Sequence, residues 1–446
     1  MELIVLTLQL EQLTSEIDNY LKRLFPINRS ITGDGNRETL RILQEVAPIK
    51  IKEYSSGKKV YDWTIPDEWN VKDAWIKDIN GNKIVDFKQS NIHLVSYSEP
   101  VDKNITFQEL KTHIYIHPDL SDAIPYRTSY YKRDWGFCVT HAQYKELSMV
   151  DGLLKVHVDS GFKSEGSLTI GELLIPGESD QEILISTYIC HPSLANDNLS
   201  GMVMTAFLAR ELLKQPKPKH SYRIIWVPET IGAITYCAMN ESTMKKIQTG
   251  LVVTTVGGSG KYGYKQSYNK KNSINKSIEN VFKEENIKYI TYPFDIHGSD
   301  ERQYSSQGFR INIASITKDK YYEYPYYHTS LDNLDFVKAE YIAESLRLHL
   351  KLLENISQES TSSPVYKNNF PNGEVMLSKH DLYPKTGGAQ IPQAENYEEL
   401  DLILWLLFWC DSKNSLADIS EKLNINEDVL KKVAQNLIQK GVLSFE

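Results

Sequence analysis

From about residue 150 onward the sequence alternates between two hydrophobic periods, and this alternation restricts the fold more than any other feature. Four short runs, EILISTYI (182–189), YRIIWVP (222–228), LVVTTV (251–256) and INIASI (311–316), are apolar and rich in β-branched residues. Stretches of helical character lie among and after them, at MVMTAFLARELLK (202–214), 273–285 and 337–355. Strands this apolar need cover on both faces. Alternation with helices therefore predicts an α/β fold, a mostly parallel or mixed sheet with helices on both sides. Ligand sites in such sheets gather outside the carboxyl ends of the strands.

The flanking regions differ in character. Residues 8–47 read as two helices separated by the loop-forming segment PINRSITGDG (26–35), in which Arg29 is either a solvated charge or a ligand contact. Residues 51–117 hold short β-type runs, with Asn80-Gly81 as a hairpin turn. They are expected to form a small β-rich subdomain inserted into an α/β domain made of 1–50 and 118–360. A polar linker over 361–394 leads to helices at 395–410, 415–423 and EDVLKKVAQNLIQKG, then a terminal strand in GVLSF. That order predicts a winged helix over 395–446.

Composition narrows the partners. The 446 residues carry a net charge of −8, so the whole-protein field does not favour nucleic acid. The third winged-helix helix sets Lys431, Lys432 and Lys440 against Glu427 and Asp428, a small basic excess, and a structural or protein-contact role is expected there instead. The apolar stripe of the 400–410 helix is expected to be core, with a homo-oligomer contact as the alternative. Cys138, Cys190, Cys237 and Cys410 show no paired spacing, which predicts reduced thiols. The N-terminus MELIVLTLQLEQL lacks a basic n-region and a cleavage site, and Leu400–Cys410 falls short of the ~20 residues that cross a bilayer. A cytoplasmic protein without a membrane partner is expected.

Four segments carry chemistry. In ICHPSLANDNLSGM, His191 and Asp197 sit in a loop between a strand and a helix, where imidazole and carboxylate can converge on one cation. Taken alone, the same residues also suit a turn and a helix cap. Glu229 in VPETIG follows the next strand and suits either a general base or a helix cap. His328 stands among tyrosines in EYPYYHTSLDNLDFV, where a buried structural histidine is the default. The loop HGSDERQY (297–304) clusters His297, Asp300, Glu301 and Arg302, which read as solvated charges unless the loop borders the crevice.

Together these segments give the chain a specific resemblance. It is similar to the co-catalytic zinc aminopeptidases of the M28 type, and within them to a bacterial aminopeptidase-like subgroup associated with surface-polysaccharide gene clusters. SITGDG (30–35), DWTIPDEW (62–69), CHPSLANDNLSG (190–201), PETIG (228–232), GSDERQY (298–304), EYPYYHTSLDNLDF (323–336) and the winged-helix tail carry it. The resemblance implies a zinc-peptidase-like mixed sheet, His191, Asp197 and His328 as metal ligands, and Glu229 as general base. The pattern's second glutamate is Thr230 here, its aspartate near 254–260 is missing, and the acid after the first histidine is Ser193. Three ligands plus water imply one zinc per chain. The implied activity is hydrolysis of a small peptide or amide. Asp300, Arg302, Tyr304 and Arg127 are expected to contact substrate. An N-acyl sugar amide hydrolase and an inactive binding protein are the alternatives.

Overall fold

The computed structural model describes residues 2–295, 297–358, 365–383 and 398–445. These fall into two compact units, Met1–Ser357 and Gln358–Glu446.

An eight-stranded sheet forms the middle of the first unit. Its spatial order is Lys50–Ser55, Ser167–Ile175, His220–Val227, Ser179–Tyr188, Thr249–Val252, Asn312–Lys318, Tyr262–Lys265 and Tyr289–Tyr292. The four strands from His220–Val227 to Asn312–Lys318 run parallel, and antiparallel strands flank them. Side chains alternate between two cores. Ile183, Ile185, Tyr222, Ile224 and Trp226 pack on one face with Met202, Phe207 and Ile342. Leu184, Tyr188, Ile225, Val227 and Val252 pack on the other with Ile231 and Trp69. At roughly 1.5–3 kcal/mol for each large apolar side chain buried, this two-sided cover is what the apolar strands require.

From strand Ser179–Tyr188 the chain passes first to His220–Val227 on one side and then to Thr249–Val252 on the other. The loops leaving the carboxyl ends therefore diverge there and leave a crevice. Helix Gly201–Lys214 starts directly beneath that crevice. A Cβ on Gly201 would lie 2.1 Å from Asn198 Oδ1 and 2.7 Å from the Val253 carbonyl, so no larger residue lets helix and loop approach this closely.

The expected insert over 51–117 is not closed on itself. Lys50–Ser55 belongs to the main sheet, pairing with Ser167–Ile175. The separate four-stranded sheet draws Leu154–Lys163 from beyond the insert, between Glu68–Lys77 and Val101–Ile105. Long-range pairing set this boundary, which local composition does not encode. The hairpin stands where the sequence placed it, with Gly81 at φ +87° between Glu68–Lys77 and Lys83–Asp86.

The second unit is a winged helix, and it begins earlier than 395. Val365–Asn368, inside the expected linker, is the middle strand of its sheet, flanked by Asp411–Ser415 and Leu443–Phe445. Helices Glu399–Trp409, Leu416–Leu423 and Glu427–Gln439 close a core around Leu406, Ile419, Leu430 and Leu437. The remainder of the expected linker, at 361–364 and 384–394, lies outside the described residues. Among the described residues, no helix is long and apolar enough to cross a membrane.

Candidate active site

The crevice at the sheet's carboxyl edge is lined by Tyr188, His191, Asp197, Glu229, Gly298, Ser299, Arg302, Tyr321, Tyr322, Tyr327 and His328, around a cavity of about 140 Å³. His191 is delivered three residues after Tyr188, where the parallel pair Ser179–Tyr188 and His220–Val227 ends together. Its backbone is anchored from behind, because the fully buried Arg29 donates to the carbonyls of His191 (2.9 Å) and Leu24 (2.6 Å). Arg29 is thus neither solvated nor a ligand contact. Burial pushes its guanidinium down to about 10.

Asp197 lies in the turn Ala195–Ser200, whose backbone departs from helical geometry at Asp197 and Asn198. Asp332, buried, receives the backbone N–H of Asn196 at 2.6 Å and of Asp197 at 3.0 Å, and the Tyr324 hydroxyl at 2.9 Å. Burial pushes the Asp332 carboxyl up to about 7 despite these donors. His328 adopts φ +54°, stacks on Tyr327 at 3.9 Å, and accepts the Tyr126 N–H at its carbonyl. Tyr126 sets its ring edge-on to both His191 and His328. Ser193, Thr230 and Thr255 near these loop ends also take positive φ, a concentration of backbone strain typical of functional sites.

One ligand atom from each of His191, Asp197 and His328 lies within 4.8 Å of the others. His191 Nδ1, Asp197 Oδ2 and His328 Nε2 are buried and make no hydrogen bond, although the last two face each other at 3.0 Å. Unsatisfied buried lone pairs are costly, and three of them aimed at one point fit a cation. Burial pushes His191 down to about 4, so it is neutral and ready to coordinate. Burial opposes ionisation of Asp197, but both imidazoles and the Tyr188 hydroxyl outweigh it and hold the carboxyl at about 2.

Glu229 Oε2 faces His191 Nε2 at 3.9 Å, and its Oε1 accepts the Ser299 hydroxyl at 2.7 Å. Burial and the charge of Asp197 push Glu229 up to about 7, with Ser299 pulling the other way. The loop bearing Ser299 is clamped from below by Lys265. This fully buried ammonium contacts Glu301 (2.8 Å), Asp295 (2.9 Å) and the His297 carbonyl.

Of the expected substrate contacts, Arg302 alone lines the crevice. Tyr304 is fully buried, with its hydroxyl 2.8 Å from Ser186. In the one-turn helix Glu301–Tyr304, positions two apart face opposite ways, so presenting Arg302 turns Tyr304 inward. Asp300 is 1% exposed, does not line the cavity, and accepts the Thr230 N–H at 2.7 Å, which braces the Glu229 loop. Arg127 is exposed and does not line the cavity; its neighbour Tyr126 is the residue that reaches the histidines. The sequence reading missed Tyr126, Tyr188, Ser299, Lys265 and the bracing role of Asp332. The Tyr188 hydroxyl donates to Asp197 Oδ1 and lies 2.6 Å from Thr254 Oγ1, close to where the pattern's aspartate is missing. A tyrosine closing an apolar strand gives no local signal of such a role.

A family model described as a domain of unknown function, DUF4910, matches residues 18–359. The chain belongs to that family. A second model, described as a winged helix-turn-helix, matches 364–445. A Clostridium acetobutylicum protein named for polysaccharide biosynthesis and an aminopeptidase-like domain is 41% identical over 430 residues, 96% of each chain. A crystal structure from Clostridium acetobutylicum, described as that of a peptidase, is 38% identical with a TM-score of 0.76, covering 100% of this chain and 99% of that one. The fold extends further. A zinc aminopeptidase from Bacillus subtilis aligns at TM-score 0.58 and 12% identity, over 79% of this chain and 96% of its own. A peptidase M28 precursor from Shewanella amazonensis aligns at 0.55 and 13%, with the same coverage. This DUF4910 chain therefore has the aminopeptidase-like fold that the resemblance implied.

Proposed function

We propose that this chain is a metallo-hydrolase that cleaves an amide bond, with one zinc ion held by His191, Asp197 and His328 and with Glu229 as general base. The observation that carries this reading is the convergence of three buried, unsatisfied ligand atoms beside a carboxylate that opens to the crevice. Two imidazoles and a carboxylate suit zinc and leave a coordination position open. Zinc bound there would supply Lewis acidity toward water and the substrate carbonyl. Glu229, pushed up to about 7, is suited to take a proton from the attacking water and return it to the departing nitrogen. Ser299 engages Oε1, which leaves Oε2 for that transfer. Tyr188 favours one metal over two, because its hydroxyl takes the carboxylate oxygen that a bridging aspartate turns to a second ion.

The relative named for polysaccharide biosynthesis supports a sugar-borne amide as the alternative to a peptide. All four cysteines are free and buried, which supports a reducing, cytoplasmic setting. In the winged helix, Lys431 pairs with Glu427 and Lys440 lies 3.5 Å from Asp381, which favours a protein contact over DNA.

Elemental analysis and turnover test the reading together. The wild type is expected to hold about one zinc per chain, and the His191→Ala/His328→Ala variant none. Glu229→Gln should keep its zinc and lose at least ~100-fold in kcat. Turnover retained in Glu229→Gln removes the base; a wild type that takes up no zinc removes the enzyme reading.

A further inference from the structure

We propose, resting on the hydrolase reading above, that the crevice selects amides that carry an anionic group and no free ammonium, and that Arg302 is the residue that makes this selection. A cation leaving water needs a paired charge or a cage of acceptors. Among the described lining residues, the carboxylates are Asp197 and Glu229, and all four of their oxygens have work. Asp197 Oδ1 accepts from Tyr188, and Oδ2 faces His328 at 3.0 Å. Glu229 Oε1 accepts from Ser299, and Oε2 is the proton-transfer oxygen beside His191.

The other acids nearby, Asp300, Glu301 and Asp332, do not line the cavity. Asp300 Oδ1 engages the Thr230 N–H, Glu301 Oε1 engages Lys265 and Tyr321, and Asp332 engages the backbone of Asn196 and Asp197, while Asp300 Oδ2 and Glu301 Oε2 are buried without a hydrogen bond. No described lining carboxylate is therefore left to hold a substrate ammonium. The guanidinium in the lining belongs to the exposed Arg302, whose Nε donates to the Ser299 carbonyl at 3.3 Å. That bond ties Arg302 to the residue that holds the base. A guanidinium fork matches a carboxylate or a phosphate.

Size fixes which part of the substrate enters. The cavity of about 140 Å³ is well below the roughly 300–1,000 Å³ of sites that enclose a drug-sized ligand. The reacting amide and a short acyl group fill it. The amine-side portion, with its anionic group, remains at the mouth beside Arg302 and the tyrosine pair Tyr322 and Tyr327, whose rings lie 4.9 Å apart. In the reaction, the water oxygen bonds to the carbonyl carbon and the C–N bond breaks. The nitrogen leaves with the proton relayed by Glu229, giving a carboxylate and an anion-bearing amine.

Four probes test this on the zinc-loaded full chain: N-acetyl-L-alanine, N-acetylglucosamine 1-phosphate, N-acetyl-L-alaninamide and L-alaninamide. They present a carboxylate, a phosphate, no charge and an ammonium. Affinity is read by calorimetry, and kcat/KM wherever turnover occurs. At least one anion is expected to bind tenfold or more tighter than N-acetyl-L-alaninamide, and L-alaninamide not measurably. The better anion identifies the group at the mouth. Arg302→Gln should abolish that preference, read as the ratio of anion to N-acetyl-L-alaninamide affinity within the same variant, and Arg302→Lys should restore part of it. An open zinc also attracts anions, so a preference that survives Arg302→Gln belongs to the metal and overturns the proposal. L-alaninamide binding as tightly as the anions overturns it too. Failure of the hydrolase reading is separate: anion selection with no turnover of any probe refutes catalysis and leaves the selectivity of Arg302 standing.

Discussion

Replacing Lys265 by methionine strikes the support of the candidate site without touching its lining. Met keeps an unbranched apolar stem and removes the ammonium, which is 2% exposed and lies 2.8 Å from a Glu301 side chain that is also 2% exposed. Removing one partner of a buried pair costs about 3–5 kcal/mol, because the other charge is left in a low-dielectric interior. Two observations place Lys265→Met near the lower end. Glu301 keeps the Tyr321 hydroxyl at 3.1 Å, and Asp295 is 46% exposed, so solvent screens its share of the pairing. A loss of about 3 kcal/mol is expected in equilibrium urea unfolding followed by circular dichroism and tryptophan fluorescence. The double variant Lys265→Met/Glu301→Gln removes the stranded charge and should recover more than half of that loss. Turnover should fall as well, since the loop that presents Ser299 to Glu229 loses its anchor. A loss below about 1 kcal/mol, the scale of an exposed pair, would refute the buried-clamp reasoning, as would a double variant no more stable than the single.

Two further outcomes follow from the structure. Tyr188→Phe removes the hydroxyl that orients Asp197 and should weaken zinc binding about tenfold or more, as loss of a group behind a metal ligand generally does; chelator competition measures this, and unchanged affinity would show that Asp197 is oriented by Asp332 alone. Burial pushes His349 down to about 4, so between pH 6.5 and 4 the unfolded chain binds a proton there that the folded chain does not. Its contribution to stability is intact above pH 6.5 and declines as pH falls, by about 2 kcal/mol at pH 5. His349→Leu should flatten the stability profile by that amount, whereas parallel profiles for variant and wild type would exclude His349 as the source.

Much of the fold is legible in the chain because its signals are local. The runs at 182–189 and 222–228 became strands Ser179–Tyr188 and His220–Val227, and 202–214 became helix Gly201–Lys214. The segments that hold His191, Asp197, Glu229 and His328 were also legible, since each directly follows a strand or precedes a helix. The directions of side chains were not. Asp300, Arg302 and Tyr304 share one loop and its single helical turn, yet one braces a neighbouring loop, one lines the crevice and one enters the core. Their pairing with distant elements decides this, and spacing along the chain does not contain it.

By itself the sequence determined the α/β class, the winged-helix tail and the residue types able to bind a metal, because hydrophobic period and loop chemistry act over a few residues. Tertiary structure alone decided that three candidate ligand atoms from two loops meet without hydrogen bonds, that Tyr188 occupies the spare oxygen of Asp197, and that no described lining carboxylate is left over. The physical reason is that burial and the orientation of lone pairs arise only when parallel strands bring their carboxyl ends, and the loops that leave them, to one edge of the sheet.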